Sequence, residues 1–116
     1  MQSKRYHIIC DLKNCKRNIN DSQKVKDFIE KFVTKIGMNI LAGPIITNGI
    51  PENPGITALI AIDFSHISIH TFTKYDEALV DIFSCKPFDK EVALNECLDF
   101  FGVVKEDARI KEVWWG

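Results

Sequence analysis

Ser65-His66-Ile67-Ser68-Ile69-His70-Thr71-Phe72 reads as a strand with one polar and one apolar side. Side chains of an extended chain point to opposite faces in turn, so His66, Ser68 and His70 share one face while Ile67 and Ile69 share the other. That alternation belongs to a half-buried antiparallel sheet whose polar face meets water. A solvated strand face explains the pattern without any chemistry. It does not explain why two of the three histidines of the chain fall in this one strand, beside a serine at its start.

Working outward, Ile56 to Asp63 is a mostly apolar strand and Ala78 to Ser84 is another, so three strands follow in close succession as antiparallel neighbours. Tyr6 to Asp11 is a first strand, ending in the polar loop Lys13 to Asp21. The period then changes. Val25, Phe28, Ile29, Phe32, Val33 and Ile36 lie on one stripe of an amphipathic helix, which Ser22 or Asp21 can cap and Gly37 can end. Asn39 to Ile46 is a strand interrupted by Gly43-Pro44. Asn48 to Gly55 is dense in turn formers and reads as a flexible loop. Asp89 can cap a second helix with Val92, Ala93, Cys97 and Phe100 or Phe101 inward and Gly102 as its stop. Arg109 to Trp115 closes the chain as a last strand, with Trp114 and Trp115 as core and interface residues.

This order predicts a single α+β domain over residues 1–116: a two-layer sandwich of a mainly antiparallel sheet with two helices on one face. Apolar residues on both faces of Ile56 to Ile62 imply that the other face is covered too, and a second copy of the chain is the simplest cover. A net charge of −1 with 27% charged residues is no nucleic-acid footprint. The basic group Lys13, Lys16 and Arg17 lies between Asp11 and Asp21 and reads as a solvated loop. No stretch resembles a secretory signal or is long enough to span a bilayer, which places the chain in the cytoplasm. Cys10, Cys15 and Cys97 read as reduced core thiols, and Cys85 is set apart below.

Ser65 with His66, Ser68 and His70 could supply a nucleophile and a base, but the G-x-S-x-G elbow and an orienting acid are missing. His66 and His70 could share a metal on one strand face, yet no third ligand stands nearby, so no metal is expected.

Thr57-(x7)-Ser65-His66-Ile67-Ser68-Ile69-His70-Thr71-Phe72 followed by Val80-Asp81-Ile82-Phe83-Ser84-Cys85 resembles the short prokaryotic form of the S-adenosylmethionine decarboxylase family. The resemblance implies a sheet-plus-helices fold that forms homodimers with sites between protomers. It also implies a role in polyamine (spermidine) synthesis and a covalent pyruvoyl cofactor made from Ser65 by self-cleavage between Phe64 and Ser65. It gives His70 the part of processing base, Thr57 and Ser68 the part of assisting hydroxyls, and Cys85 the part of acid protonating the substrate carbanion. Phe72, with an aromatic face for adenine, and His66 stand as substrate contacts. The ketone would form a Schiff base with a substrate amine and accept the electrons released with carbon dioxide.

The chain departs from the family pattern in three places. Phe64 stands where a glutamate is common. Thr71-Phe72-Thr73-Lys74 stands where Thr-Trp-Pro-Glu is usual, and an ammonium at Lys74 has no lone pair to accept from ribose hydroxyls. Pro51 stands where the preceding loop would offer a second stacking aromatic. Relatives acting on arginine or ornithine, with Glu52, Asp63 or Glu77 as counter-charge, are the alternative, as is an unprocessed regulatory homologue.

Overall fold

A computed structural model describes residues 4–114. The element order is β1 (Tyr6–Leu12), α1 (Ser22–Lys35), β2 (Ile40–Ile50), β3 (Asn53–Ile62), β4 (Ser65–Phe72), β5 (Glu77–Ser84), α2 (Lys90–Phe101) and, after a short 3₁₀ turn, β6 (Ala108–Val113). The six strands form one sheet in the order β2-β3-β4-β5-β1-β6, and every pairing is antiparallel. Both helices lie on one face, as the α+β expectation required.

Helix α1 begins where the Asp21 carboxylate accepts from the Lys24 N–H at 3.0 Å, filling an otherwise unmet donor of the first turn. It buries Val25, Phe28, Ile29, Phe32 and Val33 against the sheet and ends at Gly37, whose φ of +81° suits a residue without Cβ. Helix α2 is capped by Asp89, which accepts from Glu91 and Val92, and stops at Gly102 with φ +64°. Phe28 stacks on Phe100 with centroids 4.1 Å apart, joining the two helices. Beneath them Ile8, Cys10 and Leu12 of β1, Ile67 and Ile69 of β4, and Val80 and Ile82 of β5 are fully buried. Cys15 and Cys97 are buried as well. No helix among the described residues is long and apolar enough to cross a membrane.

Several local expectations are corrected. Asn48 to Gly55 is no flexible loop: β2 and β3 continue through it to a two-residue turn at Pro51-Glu52. Its glycines serve close strand packing, because a Cβ on Gly55 (φ +153°) would sit 1.9 Å from the Thr71 carbonyl oxygen. In α2, Ala93, Cys97 and Phe101 are buried as expected and Leu94 joins them, while Val92 is only half-buried. Trp114 is 88% exposed rather than packed, because β6 ends at Val113. Trp115 lies outside the described residues.

The face away from the helices carries His66, Ser68 and His70 and continues into exposed Leu59, Ile45 and Leu41 on β3 and β2. An apolar groove of about 350 Å³, lined by Ala42, Ile45, Leu59, Ala61 and His66 among others, runs along it. A large apolar area on one sheet face is unusual for a surface that stays in water.

Candidate active site

Ile62 and Ser65 pair across the β3–β4 hairpin, which leaves Asp63-Phe64 as its two-residue turn. Ser65 has a φ of +146°, a region that glycine alone enters freely and that costs other residues on the order of 1–3 kcal/mol. The other described non-glycine residues at positive φ are Asn14, Asn18 and Asp76, side chains that tolerate it. Strain of this kind persists only where the surroundings over-determine the backbone.

Here they do. The Asp63 carboxylate accepts from the Asn39 backbone N–H at 3.0 Å and from its side-chain amide at 2.9 Å, while the Asp63 N–H donates to the Asn39 carbonyl at 3.0 Å. Those bonds from Asn39 hold the Asp63 carboxyl below its ordinary range. The Phe64 carbonyl accepts from the Cys85 N–H at 2.9 Å. Above the Phe64 ring the Lys86 ammonium stands 5.2 Å from the centroid and donates to the Gly37 carbonyl at 2.9 Å. Ser84, buried and opposite Ser65 in register, donates to the Lys86 carbonyl and accepts from its N–H. The Cys85 side chain is exposed beside this turn.

The remaining candidates sit at the far end of β4. His70 and Thr57 are cross-strand partners, and Thr57 Oγ1 lies 3.0 Å from His70 Nδ1, a bond that fixes the imidazole's orientation. Phe72 follows one step along the same face, opposite Glu77. Lys74 donates to the Glu52 carbonyl at the β2–β3 turn at 3.4 Å. Five residues of extended strand at about 3.3 Å each put His70 about 17 Å from Ser65. The structure therefore brings Phe64, Ser65 and Cys85 together and sets Thr57, His70 and Phe72 apart from them. Ser68 lies between the groups, opposite Leu59 and Asp81.

A third cluster escaped the sequence reading. His7 Nε2 lies 2.8 Å from Asp81 Oδ1, the His7 ring meets Phe83 edge-on at 5.1 Å, and Phe83 stacks on His66 at 5.5 Å. These side chains come from three strands, and β1 is placed beside β5 only by the sheet order. No local signal pairs residue 7 with residue 81. The clamp between Asn39 and Asp63 was missed for the same reason.

Comparison with known proteins matches this architecture to a class of self-processing α+β enzymes. The family model for S-adenosylmethionine decarboxylase covers residues 6–113. An S-adenosylmethionine decarboxylase proenzyme from Thermodesulfovibrio yellowstonii is 32% identical over 98 residues, 82% of this chain and 70% of the relative. One from Methanococcus aeolicus is 30% identical over 103 residues, 87% of this chain and 86% of the relative. The crystal structure of the adenosylmethionine decarboxylase from Aquifex aeolicus superposes with a TM-score of 0.78, covering 97% of this chain and 91% of that one at 20% identity, which establishes a shared fold. The chain belongs to the S-adenosylmethionine decarboxylase family.

Proposed function

We propose that this chain is a self-processing, pyruvoyl-dependent S-adenosylmethionine decarboxylase of polyamine synthesis. In this reading it is cut between Phe64 and Ser65 and works as a homodimer. The observation that carries the reading is the strained Ser65, preceded by a carbonyl already held by the Cys85 N–H.

The first step is an acyl shift. Ser65 Oγ attacks the Phe64 carbonyl carbon, the C–N bond breaks, and the hydroxyl proton passes to the freed amine, leaving an ester. Negative charge develops on the Phe64 oxygen during the attack, where the Cys85 N–H stands as a donor in place. A base then takes the Ser65 α-proton and the Phe64 carboxylate leaves by β-elimination. Tautomerisation and addition of water release ammonia and leave a pyruvoyl group at the head of residues 65–116.

The elimination needs a base within roughly 3 Å, either directly or through one water. His70 of the same chain, about 17 Å away along the strand, does not reach. In this reading two copies pack through their open faces, which would cover the exposed Leu59 and Ile45, and the partner's His70 and Thr57 serve this Ser65. Each site then combines Phe64, Ser65 and Cys85 of one protomer with Thr57, His70 and Phe72 of the other. Ser68 lies between the two groups on the face away from the helices.

The residues present fit the cofactor: the serine is strained, its carbonyl is polarised, and a thiol lies free beside it. Once formed, the pyruvoyl group supplies the carbonyl that takes up the electron pair released with carbon dioxide. The Cys85 thiol, exposed at that end, donates a proton to the substrate Cα. Phe72 offers a ring face to adenine, and His66, held flat against Phe83, borders the same space.

Lys74 puts a donor where ribose hydroxyls need an acceptor, so the nucleoside is read mainly by stacking. Release of labelled carbon dioxide from carboxyl-labelled S-adenosylmethionine, arginine and ornithine, assayed separately, tests the substrate. Gas from S-adenosylmethionine supports the reading. Gas from an amino acid alone replaces it with the basic-substrate alternative.

A further inference from the structure

We infer that the link between Asn39 and Asp63 is a positioning device for self-cleavage, holding the 63–64 turn so that Ser65 keeps its strained torsion until the acyl shift releases it. The inference deepens the processing reading above and rests on it.

Asn39 is exposed and Asp63 half-exposed, so neither is demanded by core packing. Yet three hydrogen bonds of 2.9–3.0 Å join them, extending the β2–β3 pairing one step beyond Ile40 and Ile62, with the Asp63 carboxylate added to the backbone contact. Both residues flank fixed elements: Asn39 follows the end of α1, and Asp63 precedes the scissile peptide by one residue. On the other side of that peptide, Ser65 is locked in the ladder with Ile62 and Ser84. The Phe64 carbonyl between the two anchors is held by Cys85. With turn and strand both fixed, the Ser65 φ absorbs the mismatch.

That torsion turns about the Ser65 N–Cα bond and takes the Phe64 carbonyl carbon, bonded to the Ser65 nitrogen, as its first atom. The acyl shift breaks that carbon–nitrogen bond between Phe64 and Ser65 and forms one to Oγ, while the hydroxyl proton moves to the amine. The strained torsion then no longer exists, so strain held by the clamp is relieved in the ester and favours it over the peptide. Loosening the clamp lets Ser65 relax in the uncut chain and removes that advantage.

The test uses full-length chain in a His70→Ala background, where elimination is blocked and the peptide–ester balance can be read. Hydroxylamine near neutral pH cuts the ester and leaves a hydroxamate on Phe64, which intact mass measures. Adding Asp63→Ala, which removes both bonds to the carboxylate, is expected to lower the hydroxylamine-sensitive fraction at least about tenfold. Asn39→Ala, which keeps its backbone N–H, lowers it less and serves if Asp63→Ala does not fold. Asp21→Ala removes the cap of α1 far from the turn and should lower thermal stability while leaving the sensitive fraction unchanged. A sensitive fraction in His70→Ala that neither clamp variant reduces, or that Asp21→Ala reduces equally, overturns the positioning role alone. Absence of any sensitive bond in His70→Ala while the wild type is cut overturns this inference alone, and an uncut wild-type chain overturns the processing reading with it.

Discussion

Separate expression of Ser65→Ala and His70→Ala chains should give two uncut proteins, and co-expression should restore cleavage to one of them. The reason is the separation of about 17 Å along β4, far beyond the reach of a base to the proton it removes. In a mixed dimer one site joins Ser65 of the His70→Ala chain to His70 of the Ser65→Ala chain, and the other site lacks both residues. With equal amounts and random pairing, about half of the His70→Ala chains sit in mixed dimers. About a quarter of all chains are therefore cut, every one of them carrying the His70 substitution. Intact mass after co-purification on two different tags resolves which chain was cut. A mixture that stays whole while the wild type is processed would refute the shared site, as would cleavage of His70→Ala alone at the wild-type rate.

Other outcomes follow from the same geometry. Cys85→Ala keeps the backbone N–H that faces the Phe64 carbonyl, so cleavage should stay within a few-fold of wild type while decarboxylation falls at least about a hundredfold or yields a wrongly protonated product; normal turnover would remove the thiol from the mechanism. Gly55→Ala places a Cβ 1.9 Å from the Thr71 carbonyl oxygen at a φ of +153°, and urea unfolding in a Ser65→Ala background should show a loss of roughly 2 kcal/mol or more. Burial, with Asp76 and Glu77 adding to it, pushes the Cys15 thiol up to about 11. Its contribution is complete below the ordinary thiol value of 9.0 and is lost as pH rises through about 11, so the urea midpoint should fall across that interval and fall less in Cys15→Ala.

The fold was legible where the pattern was periodic and local. The alternation in Ser65–Phe72 and the stripe from Val25 to Val33 follow from period 2 and period 3.6, and the caps at Asp21, Asp89 and Gly102 follow from backbone donors that side chains must meet. At Asn48–Gly55 local pattern misleads, because the turn-forming residues there meet the demands of close strand packing. It also misleads at Trp114, where size suggested burial and the end of β6 left it exposed. Of the site, the residue types were visible and their grouping was not. His70 and Ser65 are neighbours in the motif but stand at opposite ends of one strand. Asn39 meets Asp63, and His7 meets Asp81, only through hydrogen bonds and sheet order set by the tertiary structure.

The conversion of Ser65 into a ketone is most directly tested by the intact mass of purified wild-type protein. Two fragments meeting between Phe64 and Ser65 are expected, the later one lacking a free amino terminus and gaining mass with hydroxylamine as a carbonyl does. A single uncut chain of 13.3 kDa that does not react would contradict it.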